Sequence, residues 1–292
     1  MSAFVPSHTA YTSASPINAM SVDVEEHFQV SAFEGTVARG DWSQHESRVA
    51  RNVDAVLELF GRAQVHATFF VLGWIAERYP AIVHRIVAAG HEIGSHGYSH
   101  VRVTQQNEAE FRDDVSRTRR ILEDCSGQRV RGYRAASYSI NDSNLWALRV
   151  LAEEGHHYSS SIYPIRHDLY GMPEAPRFPF RLDGTPILEL PVSTVQLGGL
   201  RLPCGGGGFF RLLPYGFSRW AIGRVNALDR QPTIFYFHPW EIDARQPRVG
   251  RLSLRSRLRH YTGLERMQRK LERLLRDFRW DRIDRIFVSD AQ

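Results

Sequence analysis

Residues 65–100, VHATFFVLGWIAERYPAIVHRIVAAGHEIGSHGYSH, decide the fold. Val65–Leu72 is dense in β-branched and aromatic residues and reads as a buried strand. A helical stretch follows as far as Ala89, with Pro80 opening its second segment and Gly90 closing it. His91–Gly94 then reads as a short strand running into a polar loop. Upstream, Ala19–Val24 reads as another buried strand. Arg48–Phe60 has apolar residues at helical spacing, and Gly61 is its expected stop. Downstream, Glu108–Leu122 reads as a helix and Val130–Arg134 as a strand. Asn144–Glu153 reads as a helix capped by Asp142 or Ser143, and Pro186–Pro191 and Thr233–Phe237 as later strands. This alternation over residues 19–160 predicts an α/β fold with a parallel sheet or barrel, in which chemistry collects at strand ends.

Composition narrows the function. The chain has 292 residues, 42% of them hydrophobic, enough to bury a sizeable core. Its net charge is +5, a balance compatible with an anionic partner. Much of that charge lies in the last forty residues, where a solvated helix face explains it better than nucleic-acid binding. Residues 259–278 read as an amphipathic helix that packs on the body as the first choice, with lying on a membrane or pairing with another subunit as the alternatives. Cys125 and Cys204 match no metal or redox spacing, so no disulfide framework is implied. The first sixteen residues show no basic-then-apolar leader, and no stretch approaches a membrane span. The expectation is a cytoplasmic protein with a loose tail over 1–17 and one domain over 18–292. From about residue 170 the chain is richer in Pro and Gly and reads as long loops. Cys204–Phe210, CGGGGFF, reads as flexible backbone with no following helix, which argues against a phosphate-binding loop.

Four clusters could carry chemistry. In Asp23-Val24-Glu25-Glu26-His27 the period of two puts Asp23 and Glu25 on one side of a strand end. His96 and His100 have the His-x3-His spacing of a metal pair, and with one carboxylate they would leave positions open, as a catalytic rather than a structural site does. Arg134 ends a strand, where a guanidinium could hold a carboxylate ionised. His238 is delivered by the strand Phe235–Phe237 into a Pro-Trp turn. Trp42, Trp74, Trp220 and Trp240 are candidates for stacking on a ligand, though tryptophans more often build core.

The stretches SVDVEEHF, HATFFVLGWIAERYP, GHEIGSHGYSH, RGYRAASYSI, SSSIYP and FYFHPWEID, in this order over residues 20–245, resemble the polysaccharide deacetylase family, also called NodB-homology proteins or family-four carbohydrate esterases. With GGGGFFRLLPY and the RHY at 259–261, they resemble in particular the branch associated with exopolysaccharide biosynthesis and exosortase loci. The resemblance implies a distorted (β/α) barrel, with extended C-terminal loops and helix, that binds a divalent metal, usually zinc. It implies Asp23 as catalytic base, His96 and His100 as metal ligands, Arg134 as the arginine orienting the base, and His238 as catalytic acid. Most members have a second aspartate where this chain has Val24. By an Asp-x-Asp pattern the third ligand is Glu25, with Glu26 the alternative. Ala136 stands where proline is typical, and Ser159 where the branch often has aspartate. The implied activity is removal of N-acetyl groups from a polysaccharide or its precursor, with Ser137 and Trp240 as oxyanion and substrate contacts. The competing readings are a metal-dependent amidohydrolase acting on a small-molecule C–N bond, and a glycan-binding relative without catalysis.

Overall fold

The computed structural model describes residues 4–6, 16–167, 170–250 and 252–288. The chain runs β1 (Phe4–Pro6), β2 (Asn18–Val24), α1 (Val49–Ala63), β3 (Thr68–Val71), α2 (Gly73–Arg78), α3 (Pro80–Ala88), β4 (Glu92–Ser95), α4 (Glu108–Ser126), β5 (Gly132–Tyr133), α5 (Trp146–Glu153) and β6 (Tyr158–Ser159). It continues with β7 (Phe180–Leu182), β8 (Leu188–Glu189), β9 (Thr194–Leu197), β10 (Leu200–Pro203), α6 (Gly207–Leu212), α7 (Tyr215–Arg224), β11 (Ile234–Phe237), α8 (Leu254–Tyr261), α9 (Leu264–Asp277), β12 (Trp280–Asp281) and α10 (Ile283–Phe287).

The main sheet has the order β1-β7-β8-β6-β5-β4-β3-β2-β11, with β12 also paired to β2. From β8 to β11 every pairing is parallel, and β1 and β7 are antiparallel additions at one edge. Among the described residues no ladder joins β8 to β11, so the barrel is not closed by pairing. The segment around Ser193 and Cys204–Gly206 fills that gap. Tyr236 N–H donates to Gly205 O at 2.8 Å, and Ser193 Oγ accepts from Ile234 N–H at 2.7 Å. β2 is buried at all seven positions, as a parallel strand covered on both faces must be.

The main core lies between β2–β4 and β11 on one side and α1, α3 and α9 on the other. α1 buries Val49, Val53, Val56 and Phe60, each contributing about 1.5–3 kcal/mol. α9 buries Met267, Leu271 and Leu274 against the same layer and leaves most of its arginines outside, as its spacing predicts.

Several expectations change. Gly61 does not stop α1, which runs on to Ala63 and ends at Gln64 with φ +53°. α5 begins at Trp146 with no side-chain cap from Asp142 or Ser143. The region after residue 170 is not mainly loop, since β7–β10, α6 and α7 lie in it. Cys204–Phe210 is not flexible backbone without a helix: it packs along β11 and α6 starts inside it. Phe4–Pro6 is tied to the sheet edge rather than loose; residues 1–3 and 7–15 of the expected tail lie outside the described residues.

Candidate active site

Asp23, Glu25, His96, Arg134 and His238 all sit at or just past the C-terminal ends of β2, β4, β5 and β11. Parallel pairing makes these ends converge. The histidine and acidic motifs are one strand apart rather than neighbours, because β3 lies between β2 and β4. Asp23, Glu25, His96 and His238 line a cavity of about 360 Å³ together with His100, Ser137, Tyr138, Tyr236, Trp240 and residues of the C-terminal half, and Arg134 lies behind its wall.

Three donor atoms from Glu25, His96 and His100 lie within 4.8 Å of one another, and all three side chains are buried. His96 Nδ1 is 2.8 Å from the Arg134 carbonyl; as the donor there, it turns the Nε2 lone pair towards the cluster. Glu25 Oε2 is buried, 3.0 Å from His100 Nε2, yet receives no aligned hydrogen bond. An orphaned carboxylate oxygen facing two imidazoles is a donor set that fits a divalent cation of the zinc type. Burial opposes ionisation of Glu25, but His100 and His238 outweigh it and hold the carboxyl at about 2. Burial also pushes His96 down to about 4, keeping it neutral as a ligand must be.

Glu26 takes a different part. Its carboxylate accepts from Ser47 Oγ at 2.5 Å and from the N–H groups of Arg48 at 3.0 Å and Val49 at 3.2 Å. It satisfies the exposed donors at the start of α1 and is not among the donors grouped with His96 and His100. Between the two alternatives, only Glu25 reaches the cluster.

Arg134 is fully buried and fixed on every side. Nη1 donates to Asp23 Oδ1 at 2.7 Å and Ser21 Oγ at 2.8 Å, while Nε and Nη2 donate to Ser160 O and Oγ. Asp23 Oδ2 is left towards the cavity, 3.5 Å from the Tyr138 hydroxyl and 4.0 Å from His238 Nε2. Ser137 and Tyr138 both adopt left-handed backbone, φ +54° and +50°. Two such residues in a row cost energy and persist where the surroundings impose them.

His238 Nε2 lies 3.4 Å from Glu25 Oε1. Its other face was not anticipated from sequence: Glu241 Oε2 accepts from His238 N at 2.9 Å and Nδ1 at 3.0 Å. Arg211 Nε donates to Glu241 Oε1 at 2.5 Å. Burial works against a charged His238, but Glu25 and Glu241 raise it to about 9. Burial likewise opposes the Glu241 carboxylate, and Arg211 brings it to about 2. The i,i+3 spacing of His238 and Glu241 was the available signal, since it forms a capping box at the turn Pro239–Ile242.

Trp240 is not a sugar platform. His238 stacks on it at 5.1 Å and His260 at 4.3 Å, and its Nε1–H donates to Glu25 Oε1 at 3.2 Å. It is a wedge that orients the carboxylate. Trp42 is buried edge-on to Trp74 under another cluster, and Trp220 lies on a different surface, outside the cavity.

A parallel α/β sheet with a carboxylate-and-imidazole donor set at its C-terminal strand ends therefore defines the class. Residues 42–156 match the family model described as polysaccharide deacetylase, and residues 160–288 match one described as a domain of unknown function, DUF3473. The chain carries a polysaccharide deacetylase domain of the NodB-homology, carbohydrate-esterase-family-four kind. It is similar to a peptidoglycan-N-acetylglucosamine deacetylase of Bacillus cereus, 39% identical over 93 residues, which is 32% of this chain and 34% of that protein. It is also similar to a chitooligosaccharide deacetylase of Bradyrhizobium sp., 32% identical over 97 residues, 33% of this chain and 42% of that protein. The matched stretch spans less than half the length of these relatives. Among solved structures, Puue allantoinase superposes with a TM-score of 0.57 at 19% identity, covering 92% of this chain and 87% of that one. A peptidoglycan N-acetylglucosamine deacetylase superposes with a TM-score of 0.50 at 18% identity, covering 99% and 93%. At these identities the structural likeness is one of fold. Among the described residues, no helix is long and apolar enough to cross a membrane.

Proposed function

We propose that this protein is a metal-dependent hydrolase that removes N-acetyl groups from a sugar of a polysaccharide or its precursor, in exopolysaccharide biosynthesis in the cytoplasm. The observation that carries the reading is convergence. The Glu25–His96–His100 donor set, an Asp23 held by Arg134 and a His238 held by Glu241 share one cavity. Curated relatives named as deacetylases of N-acetylated glycans support the substrate class. Residues 18–292 are read as one unit, because β11 and β12 from the second half pair with β2 from the first.

Glu25, His96 and His100 would hold the cation, with zinc the expected ion. Bound there, it would polarise the acetamide carbonyl and acidify water. Asp23, held in place by the hydrogen bond from Arg134, takes the proton from the attacking water as general base. The Ser137 N–H donates to the oxygen that becomes anionic in the tetrahedral intermediate. His238 gives a proton to the nitrogen as the C–N bond breaks, leaving acetate and a free amine.

The test is acetate release from defined N-acetylated oligosaccharides by metal-stripped protein before and after zinc is restored, with small cyclic amides as the competing panel. Glu25→Ala is expected to strip the metal, and His238→Ala to abolish most turnover with metal content intact. Turnover of cyclic amides alone would transfer the reading to a small-molecule amidohydrolase. Unchanged metal content in Glu25→Ala would move the third ligand elsewhere.

A further inference from the structure

The second half of the chain differs sharply in charge from the rest. Residues 197–264 carry eleven arginines and three carboxylates, Asp229, Glu241 and Asp243, a net charge of +8, whereas the remaining residues together are net −3. All three carboxylates are already engaged: Asp229 by Arg177, Glu241 by Arg211, and Asp243 by Arg48 and Arg51. The same stretch holds seven of the eight large apolar side chains exposed among the described residues. Scattered single leucines on a surface need no explanation, but a concentration inside a basic segment does.

These features meet on α8. Leu254 and Leu258 are 72% and 58% exposed, and their spacing places them one turn apart on a single face. Arg255 and Arg257, both exposed, flank them. The helix is firmly seated. Val249, Leu252 and Tyr261, on either side of the exposed pair, pack on the cluster of Phe28, Phe33, Val37 and Trp42. Ser253 Oγ caps its N-terminus by accepting from Ser256 N–H at 3.1 Å. At the other end Arg211 donates to the carbonyls of Arg259, His260 and Thr262. The apolar residues of this segment thus divide into an inner set that anchors it and an outer pair aimed at solvent.

We propose that the outer face of α8 docks on an anionic lipid bilayer, holding the cavity at the membrane surface. Arg259 and His260, in the last turn of α8, line the cavity, so the docking face and the site share one helix. Exposed arginines around two leucines suit the headgroup boundary of an anionic leaflet, with the leucines in the acyl region and the guanidinium groups on lipid phosphates. An anionic glycan would have no use for the leucines, and a second copy would bring its own excess of arginine against this one.

Co-sedimentation of the full chain with vesicles tests this, comparing phosphatidylcholine alone with phosphatidylcholine containing phosphatidylglycerol. Binding is expected only to the anionic vesicles and is weakened by added salt. The pair Leu254→Ser and Leu258→Ser should weaken it about tenfold or more, as should the pair Arg255→Gln and Arg257→Gln, with unchanged thermal midpoints. Slower amide hydrogen exchange over residues 252–261 of the unaltered protein on adding anionic vesicles provides a readout free of substitutions. Equal binding to both vesicle types, or unchanged exchange there, overturns the proposal. Full binding by the leucine variant would make the surface a polyanion site instead. Leucine-dependent self-association in sedimentation velocity would make it an interface between copies.

Discussion

Glu241 sets the charge and orientation of His238, the acid of the proposed reaction. Its carboxylate receives both the backbone N–H and Nδ1 of His238, and Arg211 keeps it charged from the opposite side. The pair fixes the ring orientation and leaves Nε2 facing Asp23 and Glu25. Glu241→Gln keeps the shape and removes the charge. It is expected to lower kcat about 10–100-fold, the usual cost of losing an outer partner of a site residue, with KM and metal content little changed. A steady-state comparison with metal analysis decides this; unaltered kcat would remove Glu241 from the catalytic machinery. A residue whose importance comes from what it does to a neighbour is hard to recognise in sequence, even when it lies in a quoted motif. His96 and His100 were legible as a candidate pair because their type and spacing suit a metal, and Asp23 was picked out through the family resemblance. Arg211 was not, since it reaches Glu241 across 30 residues and a change of element.

At the scale of elements, the glycine segment before α6 shows what a wall of the site requires. Gly206 has φ +111°, and a Cβ there would stand 2.0 Å from the Tyr236 carbonyl oxygen. The segment lies flat against β11 where the barrel lacks a strand, so the backbones approach more closely than any side chain permits. Gly206→Ala should destabilise the fold by about 2–4 kcal/mol and displace Tyr236 from the cavity wall, as denaturant unfolding and substrate KM would report. Stability equal to that of the unaltered protein would contradict this account. The run of glycines was read as looseness from composition alone, because composition does not reveal a neighbouring strand. By contrast α1, α3 and α4 were visible within a few residues, since helical periodicity and caps are local.

At the scale of the whole molecule, the end of the sheet opposite the site is held by an uncharged carboxyl. Glu92 on β4 accepts from the Tyr158 hydroxyl of β6 at 2.8 Å and from Asp284 N–H of α10 at 3.2 Å, and bonds Thr68 of β3. Burial, with the nearby Asp284 adding to it, pushes Glu92 up to about 8. The unfolded chain releases this proton near 4.5 and the native chain retains it, so the native state binds more protons between these values. The Glu92 contribution to stability is therefore present below pH 4.5 and declines as pH rises towards 8. Glu92→Gln, neutral throughout, should lose that decline, gaining roughly a few kcal/mol relative to the unaltered protein between pH 5 and 8. Parallel thermal melts across that range test it, and identical pH profiles would rule it out.

The sequence alone determined the alternating α/β layout, which rests on residue type, short spacing and periodicity. It also offered Asp23, His96, His100, Arg134 and His238 as candidates, with roles implied by the family resemblance. Tertiary structure alone decided what Glu26 does at the start of α1, while the sequence had already placed Glu25 ahead of it, and alone decided that Trp240 is a wedge between two imidazoles and that the second half walls the cavity. Each of these depends on groups far apart in the chain, such as Trp240 and Glu25 at 215 residues. Such pairs meet only when parallel strands bring their ends together.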